Sequence, residues 1–365
     1  AWPVGPAAPL LFVGWIPLLW VEKQLVDKGN GLKFFFLIWW ACLIWNVGTT
    51  WWIYHSTAVG SIVAMMANAL LMTLPWLLFR YTKRMAGSNW GYLSWVLYWC
   101  AFEQIHLSWE ISWPWLTLGN GFAMYPEWIQ WYEYTGVFGG TLWILLINLG
   151  IFKLLTVKPL NRRLLAAVAA GIVLPIVISY MIYHSYQEKG EAVEFVVVQP
   201  NVDPYTEKFI DSDNFIEFDQ QVDRFIQLSK QELTNQTSFL LWPESAIDGG
   251  FQEEALLAET IAPDSRGLQA NDLVSVIKMR NFKAENTGLS LITGLTSYKL
   301  YPSKKAATAT ARKYGNEFID VFNSAYYLGD DGSFQTYHKS KLVPGPETMP
   351  YPHTVSYTHL RAHET

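Results

Sequence analysis

Charge is what this sequence has least of. Of 365 residues, 16% are charged, against about 25% in an ordinary soluble domain. Basic residues hold no excess: 26 Lys and Arg face 31 Asp and Glu, which argues against a nucleic-acid partner. Only two cysteines occur, Cys42 and Cys100, both in apolar stretches. That excludes a disulfide framework and a cysteine metal cluster. No site for a cofactor or a metal is read from the chain.

The scarcity of charge is uneven. Residues 1–183 carry 16 charged side chains and residues 184–365 carry the other 41. Eighteen of the 19 Trp precede residue 150. A single soluble globule is therefore excluded, as are coiled-coil, collagen-like and disordered chains. A helix needs roughly 20 mostly apolar residues to cross about 30 Å of hydrocarbon. Residues 34–54, 57–79, 135–152 and 164–183 are free of Asp, Glu, Lys and Arg. Residues 90–109 hold only Glu103 and His106, one turn apart, and residues 6–21 form a shorter run. The reading is a multi-span helical membrane domain of about six spans over residues 1–183. Trp and Tyr near the span ends read mainly as interfacial anchors.

Every second loop is basic. Lys23, Lys28 and Lys33, then Arg80, Lys83 and Arg84, then Lys153, Lys158, Arg162 and Arg163 occupy alternate connections, and the loops between contain no Lys or Arg. Positive residues stay on the cytoplasmic side, so the chain after residue 183 is expected outside the cytoplasm.

That second half reads as α/β. Residues 193–198, 238–242, 289–295, 318–328 and 333–338 have strand character, and residues 213–233 have helical spacing. Residues 299–314 are polar and rich in Ala and Thr, and read as a loop. Three places suggest chemistry. The first is 241–246, LWPESA, with Glu244 directly after a buried strand, where open α/β sheets place their sites. The second is 337–347, YHKSKLVPGPE, with Lys339 at a strand end able to stabilise an oxyanion. The third is Gln199-Pro200-Asn201 after the first strand. Each alone also reads as an ordinary surface turn.

Together they form a pattern. WPES followed about 95 residues later by YHKSKLVPGPE resembles the nitrilase superfamily, whose members use a Glu, a Lys and a Cys. A membrane bundle ahead of such a domain resembles the apolipoprotein N-acyltransferase family in particular. VVVQPNVDPYTEKF and the segment running from Trp113-Pro114-Trp115-Leu116 through Gly119, Trp131 and Gly140 to Asn148 agree. The resemblance implies a membrane bundle followed by an α-β-β-α sandwich over residues 184–353, incomplete at its C-terminus. It implies Glu244 as general base, Lys339 as catalytic lysine and Glu347 as a supporting carboxylate. It implies a phospholipid acyl donor, a Cys thioester, and transfer to the amino terminus of a diacylglyceryl-apolipoprotein. It places the protein in the bacterial inner membrane, with the second domain on the periplasmic side. The family's Cys lies beyond the lysine motif, where this chain has none, so the fragment is expected to be inactive. Phe209 stands where the family commonly has Trp. Residues 354–365 match nothing in the family and read as a foreign tail on a truncated protein. A membrane-tethered carbon–nitrogen hydrolase and a transporter with an accessory domain are the alternatives.

Overall fold

The computed structural model describes residues 5–25, 30–203, 206–208, 213–253, 270–308, 310–344 and 347. Phe209 and residues 354–365 lie outside them. The chain divides into two compact units, one reaching Glu188 and regaining the chain at Val343, the other Lys189–Leu342.

The first unit is helical: α1 (Ile16–Leu25), α2 (Gly31–Thr50), α3 (Ala58–Leu71), α4 (Thr73–Ala86), α5 (Ser88–Ser108), α6 (Tyr132–Thr156) and α7 (Arg162–Ser185). Among the described residues four stretches are long and apolar enough to cross a membrane: Gly31–His55, Ala58–Ala86, Tyr132–Thr156 and Arg162–Ser185. Two of the six expected spans fall outside this set. The run at residues 6–21 divides into a 3-10 helix, Gly5–Phe12, and the ten-residue α1. Helix α5 is 21 residues long, but its Ser, Tyr, Gln, Glu and His make it more polar than the other four.

Helix α7 shows what surrounds this unit. Only 6% of its most apolar window is buried within the chain, and Val173, Leu174, Ile178 and Met181 stay exposed. Water would oppose that exposure by about 25 cal/mol per Å2; a hydrocarbon medium would not. Inside, the packing is aromatic. Trp76, Trp95 and Trp99 are fully buried, with Trp15 beside them. Trp15 meets Trp99 edge-on at 4.6 Å, and Trp76 lies 5.4 Å from Trp95. These tryptophans fill the bundle, whereas Trp40, Trp51, Trp52 and Trp90 are exposed as interfacial anchors would be.

Glu103 is the polar centre of this unit. Its carboxylate accepts from Trp99 Nε1 (2.9 Å), from the Leu118 N–H (2.9 Å) and from Thr141 Oγ1 (2.6 Å). It thereby ties α5, the 3-10 turn Leu118–Phe122 and α6 together. His106 does not pair with it. Its Nε2 meets Asn68 Oδ1 at 2.8 Å, and Asn68 bonds Asn46 at 2.7 Å. Gly136, at φ 63°, breaks α6 near its start.

Among the described residues the second unit is one mixed sheet with two helices. The strands are β1 (Glu194–Val197), β2 (Thr237–Leu241), β3 (Ile247–Gln252), β4 (Ser290–Tyr301), β5 (Arg312–Tyr314), β6 (Glu317–Leu328) and β7 (Phe334–His338). Strand β1 runs parallel to β2, and β2 and β3 both run parallel to β4. Strands β4 and β6 form the long antiparallel spine, and β5 and β7 both pair with β6. Residues 299–314 are therefore not all loop: β4 continues to Tyr301, and β5 begins at Arg312. Helices α8 (Phe218–Glu232) and α9 (Ala270–Glu285) bury Val222, Phe225, Met279 and Phe282 against Leu240, Leu291, Leu295 and Tyr326. Period-2 alternation sends Phe195, Val197, Val321 and Tyr337 to the other face, where they stay exposed.

Candidate active site

Glu244 is placed by what surrounds it. Trp242, at the end of β2, is buried; its ring stacks 5.0 Å from Phe225 and its Nε1 donates to Ser229 Oγ at 3.0 Å. Its backbone N–H donates to Ile292 O at 2.8 Å. Pro243 then leaves the ladder, having no N–H to give, and its carbonyl accepts from the Gly294 N–H at 3.1 Å. Gly294 permits this approach: a Cβ there would lie 2.5 Å from Ser245 N and 2.6 Å from Glu244 Cα. Ser245 adopts φ 50° and Asn201, after the adjacent β1, φ 53°. Left-handed backbone at a non-glycine residue costs on the order of 1 kcal/mol, and both residues line one cavity with Glu244.

Lys339 arrives from the end of β7. Its N–H donates to Asn323 O at 2.8 Å, and its Nζ reaches Glu244 Oε1 at 2.9 Å. Asn323, on β6, donates from Nδ2 to the same oxygen at 2.6 Å. Glu244 and Lys339, 95 residues apart in the chain, are thus brought together. The Glu244 side chain is 61% exposed, and so open an ion pair adds about 0–1 kcal/mol to stability. A buried Trp, a strained Ser and an obligatory Gly hold a pair of little structural value.

On the opposite face of β7, His338 stacks on Phe322 at 3.9 Å and its Nε2 contacts the Glu253 carboxylate. Glu253 also accepts from Ser297 Oγ at 3.0 Å, and Ser297 bonds Ser324 at 2.7 Å. This network clamps the strand end that delivers Lys339. Neither Asn323 nor Glu253 was expected from sequence. The signal for Asn323 was a polar residue inside an apolar strand, FIDVFNSAYYL.

Glu347 groups with the other unit. Its carboxylate accepts from the Val343 N–H at 2.7 Å and its own N–H donates to Val343 O at 3.1 Å, which closes a turn. Among the described residues no cluster of His, Cys, Asp and Glu could hold a metal ion. Cys42 is buried on α2 and Cys100 half-buried on α5.

Comparison with known proteins completes the picture. Residues 1–150 match the family model of the apolipoprotein N-acyltransferase N-terminal domain. An apolipoprotein N-acyltransferase of Chlorobaculum tepidum is 25% identical over 358 residues, 96% of this chain and 62% of its own length. One of Rickettsia prowazekii is 24% identical over 272 residues, 72% of this chain and 46% of its own length. The chain therefore spans less than two thirds of the curated apolipoprotein N-acyltransferases it matches. The similarity to the Chlorobaculum enzyme continues past the N-terminal domain into the sheet unit that holds Glu244 and Lys339.

Proposed function

We propose that the protein N-acylates the amino terminus of a diacylglyceryl-apolipoprotein, taking the acyl chain from a phospholipid. The observation that carries this reading is the Glu244–Lys339 contact at a strand's carboxyl end, in a chain whose first 150 residues match an acyltransferase family model. A cysteine thiolate would attack the phospholipid ester, giving an acyl thioester and a lysophospholipid. Glu244 would take the proton from the thiol and hand it to the departing lysophospholipid oxygen, and later take one from the incoming amine as the thiolate leaves. Lys339, beside it, would stabilise the tetrahedral oxyanion. Asn323 holds Glu244 in place, and the Val343–Glu347 turn follows directly on the lysine segment.

The nucleophile is outside what these residues supply. The two thiols lie on membrane helices, so the 365-residue chain alone is expected to form no acyl adduct. The open second face of the sheet, with Phe195, Val197 and Val321 exposed, fits a nitrilase-like sandwich in which a further layer covers it. The family resemblance supports a bacterial inner-membrane location, and the alternating basic loops support the side of the sheet unit, outside the cytoplasm.

The test is a chimera in which the chain is joined to the part of the Chlorobaculum tepidum relative that it does not span. It should transfer labelled acyl groups from phospholipid to a diacylglyceryl peptide. Glu244→Gln and Lys339→Ala should each lower transfer by at least about 10²-fold, with Glu347→Gln losing less. Near-normal turnover in either of the first two removes that residue from the mechanism.

A further inference from the structure

Glu244 stands between two cavities. One, of about 330 Å3, lies on the Lys339 side, walled by Trp242, Ile292, Ala325 and Tyr337. The other, of about 240 Å3, lies at the ends of β1 and β2, lined by Gln199, Asn201, Lys208, Gln221 and Ser245. Glu244 is the one residue common to both linings.

Their chemistry differs. The Lys339 cavity pairs a cation with aromatic and aliphatic walls, which suits an ester carrying an acyl chain. The second cavity presents three side-chain amides and a hydroxyl beside Pro200, Val202 and Phe225, with Lys208 at its rim and Glu244 already paired with Lys339. A phosphate headgroup would call for several cationic donors. Side-chain amides, which both donate and accept, match the alternating N–H and C=O groups of a peptide backbone. Gln221 is held in place by donating from Nε2 to Ile216 O at 2.7 Å and Lys208 O at 3.1 Å. Asn201 and Ser245, both left-handed, turn two adjacent strand ends around this one space.

We infer that the second cavity receives the amino-terminal end of the acceptor polypeptide. Its terminal ammonium meets Glu244, and its first peptide groups run along Gln199, Asn201 and Ser245. This rests on the acyl-transfer reading and assigns its second substrate a place. Before attack the ammonium gives one proton to the Glu244 carboxylate, leaving a neutral amine and a neutral carboxyl. The base must therefore face the amine, while Lys339 faces the acyl carbonyl from the other side. One carboxylate shared by two cavities serves both half-reactions without either substrate taking the other's contacts.

The test uses the detergent-solubilised 365-residue chain and needs no catalysis. Two probes are titrated by calorimetry: a soluble tetrapeptide of Gly, Ser and Asn with a free amino terminus, and its N-acetylated form. The free peptide should bind at least about tenfold more tightly, since acetylation removes the charge that meets Glu244. Asn201→Gly deletes the amide and keeps a backbone that glycine adopts freely. It should weaken the peptide about fivefold or more, leave binding of dihexanoyl phosphatidylglycerol unchanged, and leave the melting temperature intact. Gln199→Ala should act in the same direction. Equal binding of the acetylated peptide, no saturable binding of either, or an Asn201→Gly effect on the lipid instead would overturn the inference. Acyl transfer by the chimera with no Asn201 effect on peptide affinity would sink this assignment alone. Peptide binding here with no transfer would sink the acyl-transfer reading instead.

Discussion

Gly294 does more for the site than its lack of a side chain suggests. It lies on β4 where the backbone of residues 243–245 crosses closest, and a Cβ would meet Ser245 N, Glu244 Cα and Pro243 O, all at 2.5–2.6 Å. None of these is a flexible side-chain tip, so the turn itself would have to move. Gly294→Ala is therefore expected to destabilise the sheet unit by about 1–3 kcal/mol, read as a lowered melting temperature. It should also pull Glu244 off Lys339, so transfer in the chimera should fall further than lost stability alone explains. An unchanged melting temperature would show that the turn has slack. No sequence pattern announced this glycine. LITGL reads as a plain strand, and the need for a missing Cβ arises only from a segment 50 residues earlier.

At the scale of elements, two polar devices hold neighbours in register. Thr234 and Thr237 donate their hydroxyls to Glu194 Oε1, the first at 2.6 Å, and so fasten the start of β1 to the turn leading into β2. These bonds favour the ionised form and hold the Glu194 carboxyl below its usual range. The stabilisation is present above the ordinary carboxylate value of about 4.3 and is lost as pH falls through the lower native value. Thr237→Val should raise that native value toward normal, as measured by NMR titration of the Glu194 carboxyl, and reduce the acid sensitivity of β1. In the other unit, Glu103→Ala strands a Trp N–H, a backbone N–H and a Thr hydroxyl. A loss on the order of 3 kcal/mol is expected, with Glu103→Gln losing less because one acceptor remains. Thermal unfolding in detergent checks it, and equal melting of both variants would contradict the three-bond account.

Elements whose pattern was strong in the sequence were legible: β1, β2, β6, β7 and α8 appear near their β-branched runs and helical spacing, and β4 begins where its run does but continues to Tyr301. The others had specific reasons to hide. IDGGFQ carries two glycines and an aspartate, yet forms β3 because β4 extends past β2 and offers it a free edge. Strand β5 is three residues long and takes its pairing from β6. Helix α9 showed Val276, Met279 and Phe282 at three-residue spacing, a signal that was present and passed over. In the candidate site, Glu244 and Lys339 stood out because their two motifs together resemble a known family, each alone reading as an ordinary turn after a strand. Asn323, Glu253 and His338 did not, because their roles come from cross-strand pairing that no local window contains.

For the whole molecule, the alternation of basic and non-basic loops, which counts the more polar α5 as a crossing, predicts the sheet unit outside the cytoplasm. A reporter active only in the cytoplasm, fused after Tyr183, should stay dark, and one active only outside should light. The reverse result would remove both the orientation and the periplasmic acyl-transfer reading, since the lipoprotein acceptor would then lie on the wrong side.

The pairing of β6 with β7 also fixes a time order. Chains are made from the amino terminus, and domains tend to organise as they emerge. A nascent chain extended to about residue 330 already has the partners for β1 through β6, including Glu244 and its Trp242 anchor. It has no Lys339. The contact between Glu244 and Lys339 forms only when β7 zips onto β6, after most of the described sheet's slow non-local pairing is done. Until then the carboxylate stays solvated, without the cation that the folded sheet sets beside it.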